Sequence, residues 1–141
     1  MPCVDFASTE INAWREEELA TMARILYIED DLNNRILVRR ILMASGFDVD
    51  DVDNAIDGIE LASLNPPDLI LMDVSMPQMD GLTATAKIRT MPELSHVPIV
   101  ALTANAMQGD REKSLNAGCD GYIRKPIDVD SFPDQITHFL R

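Results

Sequence analysis

The sequence predicts an α/β protein built on a doubly wound parallel sheet, and three observations carry that prediction. Short apolar runs alternate five times with longer segments of helical periodicity. The strongest runs are apolar throughout, the mark of strands covered on both faces. Gly46, Pro66-Pro67, Gly81, Gly118 and Pro126 punctuate the junctions between the two kinds of segment. With 141 residues the length suits one domain with a real core and is too short for two ordinary ones.

Each element has its own justification. Residues 1–22 read as a flexible or tag-like extension, and 23–141 as the domain. The extension is acidic and weakly patterned except over 11–19, where a turn or two of helix fits, and it carries no recognisable chemistry. Arg24–Ile28 is β-branched and aromatic, hence a strand, and it ends on Glu29-Asp30-Asp31. The next segment sets Asn34, Leu37, Val38, Ile41, Leu42 and Ser45 on one helical face as a core stripe. Arg35, Arg39 and Arg40 lie off it as a solvated face, and Gly46 closes the helix. Residues 47–52 alternate weakly and read as an edge strand with its acids outward. A second helix over Ala55–Leu64 is interrupted by Gly58 and stopped by Asn65-Pro66-Pro67.

Residues 68–73 form an unbroken apolar run ending on Asp73, followed by a Pro- and Gly-punctuated loop. A third helix spans 81–91 with Pro92 beyond its end. A fourth strand over 97–102 delivers Thr103-Ala104, and a helix over about 108–116 stops at Gly118. The short strand Gly121–Arg124 delivers Lys125-Pro126. The last helix places Val129, Phe132, Ile136, Phe139 and Leu140 on one face. Pro133 is tolerated only in a first turn, so the N-cap belongs near Asp130 or Ser131.

Charge and cysteine content narrow the function classes. A net charge of -12 argues against direct binding to DNA or to an anionic membrane. Cys3 and Cys119 make neither a disulfide framework nor a zinc set, and Cys119 reads as a small packed residue. The sequence has no apolar stretch of membrane-spanning length and no signal-peptide pattern, so the cytoplasm is the expected compartment.

The chemistry emerges when the strand ends are overlaid. In a parallel sheet the carboxyl ends share one edge, where ligands bind. Glu29 and Asp30, Asp73, Thr103 and Lys125 all fall on that edge. Each alone is most simply a cap or a surface group; Asp31, for one, reads as a helix N-cap. Together, three carboxylates in one pocket cannot all ionise cheaply, and a hard divalent cation such as Mg²⁺ resolves the repulsion. Lysine is a point charge suited to phosphate, and a threonine hydroxyl can donate to a further oxygen. An aspartate with no other duty is then free to act as a nucleophile that becomes an aspartyl phosphate.

These residues give the sequence a specific resemblance. Ile28-Glu29-Asp30-Asp31, the stretch from Asp68 through Gly81 with its Met-Pro-x-Met-Asp-Gly loop, Leu102-Thr103-Ala104 and Tyr122-Ile123-Arg124-Lys125-Pro126 match in order, spacing and strand context. Over residues 24–140 the chain resembles a response-regulator receiver domain of the single-domain type. The resemblance implies a flavodoxin-like, CheY-like (βα)5 fold with strand order 2-1-3-4-5. It implies Asp73 as phospho-acceptor, with Thr103 and Lys125 contacting the phosphoryl group and Tyr122 as an aromatic switch. The metal ligands it implies are Glu29, Asp30, Asp73 and the Ser75 backbone carbonyl, holding Mg²⁺ with Mn²⁺ as a substitute. Glu29 stands where the family often has Asp, and its longer arm suits a water-mediated contact. Ser75 and Asn105 flank the pocket and are candidates for tuning dephosphorylation. Lys125-Pro126 is the place for a cis peptide bond.

The same resemblance implies a two-component response regulator that is phosphorylated by a sensor histidine kinase or a histidine phosphotransfer protein. The signal would leave through the face made by helix four, strand five and helix five, which docks a downstream protein. The only catalysis expected is its own phosphorylation and dephosphorylation. A monomer or a weak phosphorylation-dependent dimer is expected, with no output domain after the last helix. The alternatives are a phosphorelay intermediate, a receiver excised from a hybrid kinase and a phosphate-independent docking module. A haloacid-dehalogenase-type phosphatase would need a second acid where Ser75 stands. A flavin mononucleotide carrier would need a Ser/Thr/Gly-rich phosphate loop where Glu29-Asp30-Asp31 stands.

Overall fold

The computed structural model describes residues 23–104 and 110–140. The expectations for residues 1–22, for Asn105 and for the start of the fourth helix fall outside the described residues. The strands are β1 (Arg24–Ile28), β2 (Asp48–Val52), β3 (Leu69–Asp73), β4 (Ile99–Thr103) and β5 (Gly121–Arg124). The helices are α1 (Leu32–Ala44), α2 (Ala55–Leu64), α3 (Gly81–Arg89), α4 (Asp110–Ala117) and α5 (Phe132–Leu140), with a short 3₁₀ turn at Pro92–Leu94. All neighbouring strands pair in parallel, in the order β2-β1-β3-β4-β5. The doubly wound architecture is the one the sequence predicts, and the strand order is the one the family resemblance implies.

Strand periodicity divides the core in two. Ile25, Tyr27, Leu69, Leu71, Val100 and Leu102 point to one face, where α1 and α5 cover them with Val38, Leu42, Phe132 and Ile136. Leu26, Ile28, Ile70, Met72, Ile99 and Ala101 point to the other, against Ala62 of α2 and Ala84 and Ile88 of α3. Every residue of β3 and β4 is buried, which is why both read as continuous apolar runs. Each fully buried Leu or Ile contributes about 1.5–3 kcal/mol, so these central strands dominate the stability. Leu71→Ala, at the centre, would cost about 2–5 kcal/mol.

Helix entry is set by three acid or amide caps. Asp31 accepts from the Asn34 N–H at 3.0 Å, Asn54 from Asp57 at 2.8 Å and Asp80 from Thr83 at 2.8 Å. Such a cap is worth about 1 kcal/mol. The Asp31 carboxylate is thus engaged in starting α1.

Several expectations need correction. Leu37 is 47% exposed, because the buried stripe of α1 centres on Val38 and Leu42 and a residue one step away is rotated by about 100°. Val129 precedes α5 and is exposed, while Pro133 does sit in the first turn. The arginines of α1 are more than a solvated face: Arg35 and Arg39 both pair with Asp51 of β2. Residues 47, 68, 97 and 98 lie just outside their strands, and α3 ends at Arg89 before the 3₁₀ turn. Gly58 does not interrupt α2, and a Cβ there would collide with Ile28 of β1, so its lack of a side chain permits close helix–sheet packing.

Candidate functional site

The backbone ladder places the strand ends before any side chain is considered. Glu29 N–H donates to Val52 O at 3.1 Å, Val74 N–H to Leu102 O at 3.0 Å and Lys125 N–H to Thr103 O at 2.8 Å. These bonds carry the pairing just past the last strand residues, so Glu29, Asp73, Thr103 and Lys125 share one edge. Glu29 is 1% exposed and Asp73 4%, rare burial for two acids.

A lysine resolves the burial. Lys125 Nζ lies 2.8 Å from Glu29 Oε1 and 3.1 Å from Asp73 Oδ1, bridging β1 and β3 from the loop after β5. The Tyr27 hydroxyl donates to the same Glu29 Oε1 at 2.9 Å, and the Asp31 N–H reaches Oε2 at 3.3 Å. Asp30 is exposed, yet its carboxylate joins those of Glu29 and Asp73 with ligand oxygens all within 4.8 Å of one another. Arg35 Nη1 donates to the backbone carbonyls of Glu29 and Asp30, at 2.9 and 3.2 Å, which fixes the turn carrying both acids.

The electrostatics follow from crowding. Burial, with the neighbouring Glu29 carboxylate, pushes Asp73 up to about 7, against the opposing pull of Lys125. Burial alone would raise Glu29 as well, but its hydrogen bonds from Lys125, Asp73 and Tyr27 and the ammonium charge hold it below its usual value. Burial acts to lower Lys125, and the two carboxylates overcome it and raise the ammonium. Burial and the Glu29 charge raise the Tyr27 phenol. The pocket therefore holds more carboxylate than one lysine can neutralise.

The loop after Asp73 is folded back under the site. Gln78 has φ 67°, and Met79 N–H bonds back to Pro77 O at 2.7 Å. Gly81 N–H then donates to Val74 O at 3.0 Å, and a Cβ on Gly81 would strike the Asp73 carbonyl. Glycine is therefore dictated by close approach to the acid-bearing strand end. Ser75 lies on the rim, lining a cavity of about 650 Å³ with Val74, Asp80, Thr103 and Lys113.

The predicted residues thus divide by position. Glu29, Asp30, Asp73 and Lys125 are brought together. Thr103 is buried at the end of β4, one residue beyond Leu102, the register partner of Asp73, and lines the same cavity as Ser75. Tyr122 lies outside the acid cluster, half-buried against the α2–α3 side of the core. Its register partner is Ala101, two residues before Thr103, so Tyr122 and Thr103 share a face as diagonal neighbours. The Lys125-Pro126 peptide is cis. Two residues escaped the sequence reading, Tyr27 and Arg35. Period-two alternation puts Tyr27 on the same face as Glu29, and that signal was available.

The donor set suits a hard cation. It holds carboxylates only, with no thiolate or imidazole among the described residues of the cluster, which favours Mg²⁺ or Mn²⁺ over zinc or copper. The family model of the response regulator receiver domain matches residues 25–137. The chain belongs to the response-regulator receiver family. Receiver domains of two-component systems bind Mg²⁺ at such an acidic pocket. The polar-differentiation response regulator DivK of Brucella anthropi is 39% identical over 116 residues, which cover 82% of this chain and 94% of that protein. The receiver domain of a Pseudomonas aeruginosa sensor histidine kinase, with a magnesium ion coordinated in its active-site cleft, superposes with TM-score 0.79. It is 36% identical and covers 84% of this chain and 98% of its own. The Vibrio cholerae chemotaxis protein CheY4, at 23% identity and TM-score 0.80 with the same coverage, shares the fold. Among the described residues, no helix is long and apolar enough to cross a membrane.

Proposed function

We propose that this receiver accepts a phosphoryl group on Asp73 from the phosphohistidine of a sensor histidine kinase or a histidine phosphotransfer protein. A carboxylate oxygen of Asp73 attacks phosphorus as the P–N bond breaks, and the bonding electron pair stays with the donor's ring nitrogen. Water later attacks phosphorus, releasing inorganic phosphate and restoring the carboxylate, and the protein catalyses only these two reactions on itself. The observation that carries the reading is the convergence of Asp73 with Glu29, Asp30 and Lys125 at one buried edge.

Each residue has a role in that reaction. Lys125, already 3.1 Å from Asp73, transfers its contact to a phosphoryl oxygen. The Thr103 hydroxyl donates to another. Glu29, Asp30, Asp73 and the Ser75 carbonyl would hold Mg²⁺, or Mn²⁺ in its place, and the bound ion would supply neutralisation of developing charge. Phosphorylation adds about -1.5 to -2 charges, and drawing Thr103 toward them alters what Tyr122 packs against. The face of α4, β5 and α5 then docks a downstream protein. The DivK relatives, matched over almost their whole length and named response regulators, support a response regulator; partner docking and a phosphorelay step both fit the same site.

The test is intact mass after incubation with acetyl phosphate, with and without Mg²⁺, on wild type and Asp73→Asn, with beryllofluoride binding measured in parallel. A metal-dependent gain of one phosphoryl group, absent in the variant, is expected. Neither adduct nor beryllofluoride binding by a folded protein would favour a phosphate-independent docking module.

A further inference from the structure

We propose that Tyr27 is a positioning residue for the metal site, fixing Glu29 so that one defined oxygen is presented to the cation. The inference rests on the reading of Glu29 as a metal ligand, directly or through water. Tyr27 lies wholly inside the core, and the described hydrogen bond of its hydroxyl is the 2.9 Å bond to Glu29 Oε1. Lys125 Nζ takes the same oxygen at 2.8 Å. A carboxylate oxygen has two lone-pair directions, and these two donors fill them. Oε2 is the less committed oxygen of Glu29, holding the Asp31 N–H at the longer distance of 3.3 Å.

The arrangement answers a problem created by side-chain length. Glutamate has one more rotatable bond than aspartate and is harder to hold in a single ligand geometry. Lys125 cannot fix it alone, because Lys125 also serves Asp73 and is the group expected to follow an incoming phosphoryl oxygen. Tyr27 has no such second duty. Its ring is packed within the α1–α5 side of the core, and strand alternation aims it along the face that carries Glu29. A donor held that rigidly sets the rotamer of the acid above it, as outer-shell partners do at metal sites generally.

The experiment is calorimetric titration of the full chain with MgCl₂ alone at fixed pH. The proteins are wild type, Tyr27→Phe, Glu29→Asp and the double variant, each first checked for folding by circular dichroism. Tyr27→Phe removes one oxygen and keeps the ring, and about tenfold weaker Mg²⁺ binding is expected. In the Glu29→Asp background the shorter acid withdraws from the hydroxyl, so adding Tyr27→Phe should change affinity less than twofold. Wild-type binding with Tyr27→Phe within twofold of it would overturn the inference alone. A full tenfold loss that persists in the Glu29→Asp background would overturn it too, since the hydroxyl would then act through packing and not through Glu29. Failure of the wild type to bind Mg²⁺ would remove the underlying reading of the site, and this inference with it.

Discussion

Removing the charge of Asp73 should stabilise the metal-free protein, although Asp73 is the residue on which function depends. Its carboxyl is raised from an ordinary 3.8 to about 7 by burial and by Glu29. A raised carboxyl contributes stability that is fully present below the unfolded value near 4 and is lost as pH rises through 7. A difference of about 3 pH units corresponds to about 4 kcal/mol lost across that window. Asp73→Asn escapes the loss but recovers only part of it. The amide still needs partners, and Lys125 keeps one carboxylate in place of two. A net gain of about 1–3 kcal/mol at pH 8 is expected, or a rise in midpoint of roughly 4–10 °C for a domain of this size. Thermal and urea unfolding in EDTA from pH 4 to 9 measure it. The two proteins should nearly coincide at pH 4, separate between pH 4 and 7 and run parallel above pH 8. Millimolar Mg²⁺ should then raise the wild type more than the variant. A variant less stable than wild type at pH 8, or an offset that ignores pH, would refute the electrostatic account.

Two further outcomes test the same site. Lys125→Ala leaves Glu29 and Asp73 buried without a cation, and should cost about 3 kcal/mol at pH 8 by urea denaturation. The cost should shrink toward pH 4, as Asp73 takes up a proton. Gly81→Ala forces a Cβ onto the Asp73 carbonyl, and should cost about 1–3 kcal/mol with slower labelling by acetyl phosphate. Normal stability and labelling of that variant would show that the loop yields easily.

The sequence was legible wherever burial on both faces imposes a pattern. β3 and β4, wholly buried, could be read to within two residues, and with them the edge on which Asp73 and Thr103 fall. It was less legible where a pattern lies on a boundary. Leu37 and Val129 fit a helical stripe in the sequence, but the stripe is set by which residue faces the sheet, and neither does. Tyr27 counts in the sequence only toward an aromatic strand, because a hydroxyl's partner is decided by the rotamer of its neighbour and not by residue type. Arg35 looked solvated because its partners, the Glu29 and Asp30 carbonyls and Asp51, converge only once α1 is laid against the sheet. Pairing across the sheet is non-local, and local periodicity carries no record of it.

Lys125 bonds across 96 residues of chain to Glu29 and 52 to Asp73, whereas the strand before it pairs through its backbone with β4 alone. Beyond its apolar packing, the edge strand is thus tied to the middle of the sheet through the ammonium group that follows it. Its local opening, read as amide exchange in Tyr122 and Ile123, should therefore respond to how many anions that ammonium holds. Whatever draws Lys125 elsewhere changes how tightly the last strand is closed, so exchange at the far edge becomes a gauge of the charge on the first and third strands.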